Sequence, residues 1–128
     1  MPHLRHAIAL AAVLLASPAL ALETPEGIQV NATEKGEVLA NAQRMTLYTF
    51  VEDPQNRSVC IGGCAESWPP LMAPEAATPI GEFSLVERET GGQQWAYKGK
   101  PLYGWVQDRN PGDTTGDGFG GKWSVAKP

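Results

Sequence analysis

The residues with the most chemistry to offer are two cysteines, Cys60 and Cys64, in the string CIGGC. In an exported chain such a pair is most simply a disulfide, because oxidising compartments preserve the bond. Gly62 and Gly63 give the short ring the backbone freedom to close. So small a ring removes little loop entropy, and the bond should add about 2 kcal/mol at most. The sharper alternative is a redox couple, or a copper site with Met45 or Met72 as a soft partner. Copper sites usually recruit imidazole as well, and the two histidines, His3 and His6, both lie in the first six residues. A second cluster, DRNPGDTTGDGFGGKW, sets Asp108, Asn110, Asp113 and Asp117 among glycines. Oxygen ligands on such a loop could hold Ca²⁺, with Asp113 and Asp117 as the weak candidates. The spacing does not follow the EF-hand register, and Asp in Gly-rich turns is ordinary loop chemistry. No metal ligand, catalytic residue or cofactor is assigned on these grounds.

The first residues read as an export signal. MPHLRH is a short basic start, and AIALAAVLLA is an apolar run too short to span a bilayer as a helix. Ala19-Leu20-Ala21 then presents small residues where a signal peptidase cuts. Cleavage is expected after Ala21, so that residues 1–21 are removed and 22–128 form the mature chain. No cysteine follows the apolar run, so no lipid anchor is expected, nor any membrane insertion. The mature chain would carry no histidine, which excludes Ser-His-Asp triads and Cys-His pairs. Removing Arg5 leaves nine basic residues against 14 acidic ones. An acidic chain without a basic cluster is a poor match for nucleic acid or anionic membranes.

The elements that must position these residues occur twice. LYTFVED (Leu47 to Asp53) returns as LYGWVQD (Leu102 to Asp108), 55 positions later. The same slide superposes Glu34 on Glu89, Gly36 on Gly91, Gly63 on Gly118 and Trp68 on Trp123. The halves run from about 27 to 72 and from about 82 to 127, joined by a proline-rich linker at about 69–79. Pieces this small bury too little surface to fold alone. They should pack as a single compact domain with an approximate internal two-fold.

The local patterns are those of strands. GIQVNATE and GEFSLVERE alternate apolar and polar residues, and QQWAYKGKPLYGWVQ reads as a hairpin turning at Lys98–Pro101. Fourteen glycines and eleven prolines favour short strands with long turns. The fold class expected is mainly β, with one helical turn around Cys60–Trp68. Within LYTFV, Leu47, Thr49 and Val51 share one face, while Tyr48 and Phe50 share the other. Tyr103 and Trp105 repeat that second face, so the strand should be sandwiched between apolar layers. Tyr48 and Asp53 are five apart and project oppositely in a straight strand, which disfavours a bond between them. Asp53 and Asp108 are expected at strand ends, accepting backbone N–H bonds that start a loop. Losing Asp108 should then cost about 1–2 kcal/mol in turn bonds. Trp68, Trp95, Trp105 and Trp123 are expected in the core. Asn31-Ala-Thr33 is a glycosylation sequon by pattern alone.

Tyr48-x-Phe50-x-x-Asp53 and Tyr103-x-Trp105-x-x-Asp108 resemble the Yx(FWY)xxD motif of bacterial secreted-repeat proteins, a predicted lipoprotein family of unknown function. SVCIGGCAESWPPL resembles the cysteine-containing part of their first repeat, and KGKPLYGWVQDRNPGDTTGDGFGGKWSV the second. The resemblance implies an extracytoplasmic bacterial protein and supplies no catalytic residues. Many members carry a lipobox cysteine that this chain lacks, so tethering does not transfer. The expectation is a periplasmic or secreted binding or scaffold module for an unknown extracytoplasmic ligand or protein. Its structural residues would be Tyr48, Phe50, Asp53, Trp68, Tyr103, Trp105, Asp108 and Trp123. The alternatives are a redox or copper-handling protein using Cys60 and Cys64, and a calcium-stabilised surface-binding domain.

Overall fold

A computed structural model describes residues 21–128. The expected signal at 1–21 lies outside the described residues except for Ala21. The fold is mainly β, as the alternating patterns require. Strands β1 (Ile28–Thr33) and β2 (Gly36–Asn41) form an antiparallel hairpin. Strand β3 (Tyr48–Phe50) follows, and then one helical turn, α1 (Gly63–Ser67). The second half begins with β4 (Phe83–Glu87), β5 (Gln93–Tyr97) and β6 (Lys100–Pro101), an antiparallel three-stranded sheet. A 3-10 turn at Phe119–Gly121 leads into β7 (Trp123–Val125).

The two halves meet at Tyr48 and Tyr103. The Tyr48 N–H donates to the Tyr103 carbonyl at 2.7 Å, and the Tyr103 N–H to the Tyr48 carbonyl at 3.0 Å. This reciprocal pair lies on the internal two-fold, because the two residues are equivalent in the repeat. The closing segments of the halves are exchanged around it. β7 belongs to the second half yet pairs with β3 of the first, in the register Tyr48↔Val125 and Phe50↔Trp123. Conversely, Pro70 of the first half bridges to Tyr103, and Gly104 N–H donates to the Pro69 carbonyl at 2.8 Å. The exchange continues to the hairpins. Ala126 bonds to Leu47 and Leu39 just as Leu71 bonds to Leu102 and Trp95.

These pairings correct two expectations. The linker does not begin at Pro69, since Pro69–Leu71 complete the partner half's ladder, and Ala73 N–H still bonds to Gln93. The 55-residue slide also conceals two compensating shifts. The first hairpin turns through Glu34-Lys35, whereas the equivalent turn, closed by Arg88 N–H on the Gly92 carbonyl, has one residue more. The next turn reverses the difference. Asn41 to Met45 encloses Ala42–Arg44, while Tyr97↔Lys100 encloses only Lys98-Gly99. Lys98 and Gly99 both have positive φ, 50° and 76°, the conformation of a type I′ hairpin turn.

Alternation along the central strands divides the core in two. Tyr48 and Tyr103 enter one cluster with Val38, Phe50, Cys60, Trp68, Trp105, Trp123 and Val125. Leu47 and Leu102, on the opposite face, enter the other with Ile28, Leu39, Phe83, Trp95, Tyr97 and Ala126. Both clusters draw on both halves, so neither half owns a core. The sandwich ends at Phe50 and Trp105, because Val51 and Val106 are 67% and 54% exposed. That departs from the apolar face expected to include Val51. The strand has already turned into its loop there, and the Val51 and Val106 N–H groups bond to Lys122 and Ser67.

Candidate functional site

The repeated tyrosines and aspartates converge, but each tyrosine finds the other half's aspartate. Tyr48 donates its hydroxyl to Asp108 Oδ2 at 2.6 Å, and Tyr103 donates to Asp53 Oδ2 at 2.6 Å. The strand exchange makes this possible, because it sets the start of each half's loop over the other half's central strand. The second carboxylate oxygen of each aspartate organises its own loop. Asp53 Oδ1 accepts the Val59 N–H at 2.8 Å. Asp108 Oδ1 accepts the Thr115 N–H at 3.0 Å and the Thr115 hydroxyl at 2.6 Å. All four motif side chains are buried. Burial first, and then the bond to the carboxylate, raises both phenols above the ordinary tyrosine value. Burial also raises the Asp53 carboxyl above its ordinary value, against the lowering effects of Tyr103, Val59 and the Arg88 charge.

Between the two locks runs a stack of four rings. Phe50 lies 4.3 Å from Trp123, Trp123 lies 3.9 Å from Trp68, and Trp68 lies 3.9 Å from Trp105, centroid to centroid. The interplanar angles are 11°, 2° and 20°. The order follows the two-fold, since Phe50 is equivalent to Trp105 and Trp123 to Trp68. Tyr48 meets Trp68 edge-on at 5.4 Å, and Tyr103 meets Trp123 edge-on at 5.1 Å. Gly116 is required against the stack. A Cβ there would approach Trp68 to 2.8 Å and Trp105 to 3.0 Å.

The halves differ where the sequence differs. Cys60 and Cys64 form a disulfide, with Cys60 fully buried in the tryptophan cluster and Cys64 partly buried against it. The equivalent positions hold Thr115, bonded to Asp108, and Phe119, which packs on Trp68 and Trp105. On the cysteine side a buried polar chain extends from Asp53. Tyr103 hydroxyl also meets Ser58 Oγ at 2.6 Å. Arg88 donates to Ser58 Oγ at 2.9 Å, to Gln94 Oε1 at 2.7 Å and to the Cys60 carbonyl at 2.8 Å. Sequence reasoning missed Ser58, Arg88 and Gln94. Arg88 lies between two glutamates at a strand end, and only its place in an alternating run, on the inward side with Val86, marked it.

The remaining candidate residues are turned to other uses. Asp113 Oδ2 accepts the N–H groups of Arg109 and Asn110, both at 2.9 Å, and these bonds lower its carboxyl below the ordinary value. Asp117 Oδ1 accepts the Val125 N–H at 3.0 Å, and its other oxygen faces Lys35 at 3.6 Å. Among the described residues no group of three or more His, Cys, Asp or Glu side chains converges as a metal site would require. Asn31 of the sequon is buried and tied to Arg44 by two bonds, so its amide is not displayed. No buried side-chain nitrogen or oxygen among the described residues lacks a partner.

A family model described as a secreted repeat of unknown function matches this chain twice, over residues 29–72 and 84–127. The chain belongs to this family. Its two repeats are the two halves whose closing strands are exchanged, so the cross-lock joins one family repeat to the next. No curated protein matches the chain, and no solved structure does. Among the described residues, no helix is long and apolar enough to cross a membrane.

Proposed function

We propose that this secreted-repeat protein is a periplasmic or secreted binding or scaffold module rather than an enzyme, acting on an extracytoplasmic ligand or protein. One observation carries the reading: the hydroxyls of Tyr48 and Tyr103 and the carboxylates of Asp108 and Asp53 are bound to one another inside the core. Groups so engaged hold the halves together and are not presented to a substrate. Specific recognition then belongs to the loops that differ between repeats, Val59–Glu66 and Arg109–Gly121. The test combines unfolding with binding of extracytoplasmic extract to immobilised protein. Asp53→Asn and Asp108→Asn should lower the unfolding midpoint, while the folded fraction keeps its bound components. Unchanged stability with selective loss of binding or turnover would overturn the reading.

The partial exposure of Cys64 favours a second reading, thiol–disulfide exchange at the Cys60–Cys64 bond. Burial of Cys60 among tryptophans counts against it, because the leaving thiolate would be desolvated. Equilibration in glutathione buffers decides. A bond that stays oxidised supports a structural bridge, and reversible reduction within the glutathione range supports exchange.

A further inference from the structure

The stacked rings and the two tyrosine–aspartate pairs form a continuous path through this core cluster. Tyr48 touches Trp68, Trp68 stacks on Trp123, and Trp123 touches Tyr103, each in ring-to-ring contact. Trp105 extends the path outward to Phe119, a half-exposed ring that packs on both Trp105 and Trp68. Indole and phenol are the most easily oxidised side chains in this core apart from sulfur groups, and contact between their π systems couples them electronically. A phenol loses an electron far more readily when its proton has somewhere to go. Both path tyrosines already donate that proton to a carboxylate oxygen at 2.6 Å.

We propose that Trp105, Trp68, Trp123 and the Tyr48–Asp108 and Tyr103–Asp53 pairs act as a one-electron relay that accepts oxidising equivalents arriving at the protein surface. A soluble one-electron oxidant at the Phe119 edge takes one electron from Trp105, is itself reduced, and leaves an indole radical cation. That vacancy passes along the stack to Trp68 or Trp123. The adjoining tyrosine returns one electron to the indole as its hydroxyl proton moves to the aspartate Oδ2. The products are a neutral tyrosyl radical, a protonated aspartate, an intact tryptophan and the reduced oxidant. A one-electron reductant restores the phenol, and the proton moves back.

The fold supplies its own controls. Trp95 and Tyr97 are comparably buried but belong to the other core cluster, outside the stack. The experiment is flash-quench oxidation of the full mature chain by a ruthenium tris(bipyridine) sensitiser, read by transient absorption and electron paramagnetic resonance. The expected result is a tyrosyl signal that survives Tyr97→Phe and Trp95→Phe, falls severalfold in Trp105→Phe, and forms more slowly in D₂O. Trp105→Phe keeps an aromatic ring in the outermost place of the stack, and circular dichroism verifies its fold. If that variant does not fold, the wild type and Tyr97→Phe still decide. Absence of a tyrosyl radical, its loss in Tyr97→Phe, or an unchanged yield in folded Trp105→Phe would each overturn the relay.

Discussion

Replacing Tyr48 with phenylalanine probes the cross-lock at one atom. The variant keeps the ring against Trp68 and deletes the hydroxyl that donates to Asp108 Oδ2 and accepts the Gly116 N–H at 3.2 Å. A hydrogen bond to a charged acceptor contributes about 1.5–3 kcal/mol, and an orphaned buried N–H costs about 1 kcal/mol more. The expected loss is therefore about 3 kcal/mol, a fall in midpoint of roughly 10–20 °C for a domain of this size. Asp108→Ala should cost about 3 kcal/mol or more, since three donors lose their acceptor and not the turn bonds alone. A double-mutant cycle by urea denaturation isolates the shared bond. Tyr48→Phe with Asp108→Ala should show a coupling of about 2 kcal/mol, whereas Tyr48→Phe with Asp53→Ala should be near additive. Coupling that is larger within one repeat than across the two would refute the exchanged geometry.

Gly116→Ala should destabilise by about 1–3 kcal/mol, because its Cβ would drive into Trp68 and Trp105. Near-ultraviolet circular dichroism should show the disturbed indoles. Arg88→Met leaves Gln94 Oε1 and the Cys60 carbonyl without this donor and Ser58 Oγ with one bond fewer, and should cost about 3 kcal/mol in equilibrium unfolding. The two perturbed carboxylates should move stability in opposite directions with pH. Asp53, raised in the fold, contributes stability that is fully present below the ordinary carboxylate value of 3.8 and is lost as pH rises through its raised value. Asp113, lowered, contributes stability that is present above the ordinary value and is lost as pH falls through the lowered one. Unfolding midpoints of wild type against Asp53→Asn and Asp113→Asn across acid pH check both signs.

The repeat, the β character and the burial of the tryptophans were legible because they are written in periodicity and composition. Leu47 and Tyr48 alternate, and each enters its own core cluster. The oddness of the five-residue step from Tyr48 to Asp53 disfavoured a bond within one copy. It did not name the partner, because which strand lies beside which is set by long-range pairing and not by local pattern. Exchange of Pro69–Leu71 was hidden for a related reason: prolines read as linker, yet Pro70 sits at an edge where a missing N–H costs nothing. Arg88 was illegible because its guanidinium is held within the core by neutral acceptors from two separate segments, Ser58 and the Cys60 carbonyl in one loop and Gln94 in β5.

The exchange of closing strands is tested most directly by separating the repeats. Peptides covering residues 22–79 and 80–128, each at high dilution and with the disulfide intact in the first, can be followed by far-ultraviolet circular dichroism and then mixed. Each peptide lacks one strand of its own ladder and both complete cores. Each should therefore be unfolded alone, and the pair should regain β structure in a second-order reaction upon mixing. A cooperative unfolding transition from either peptide as a dilute monomer would contradict the account.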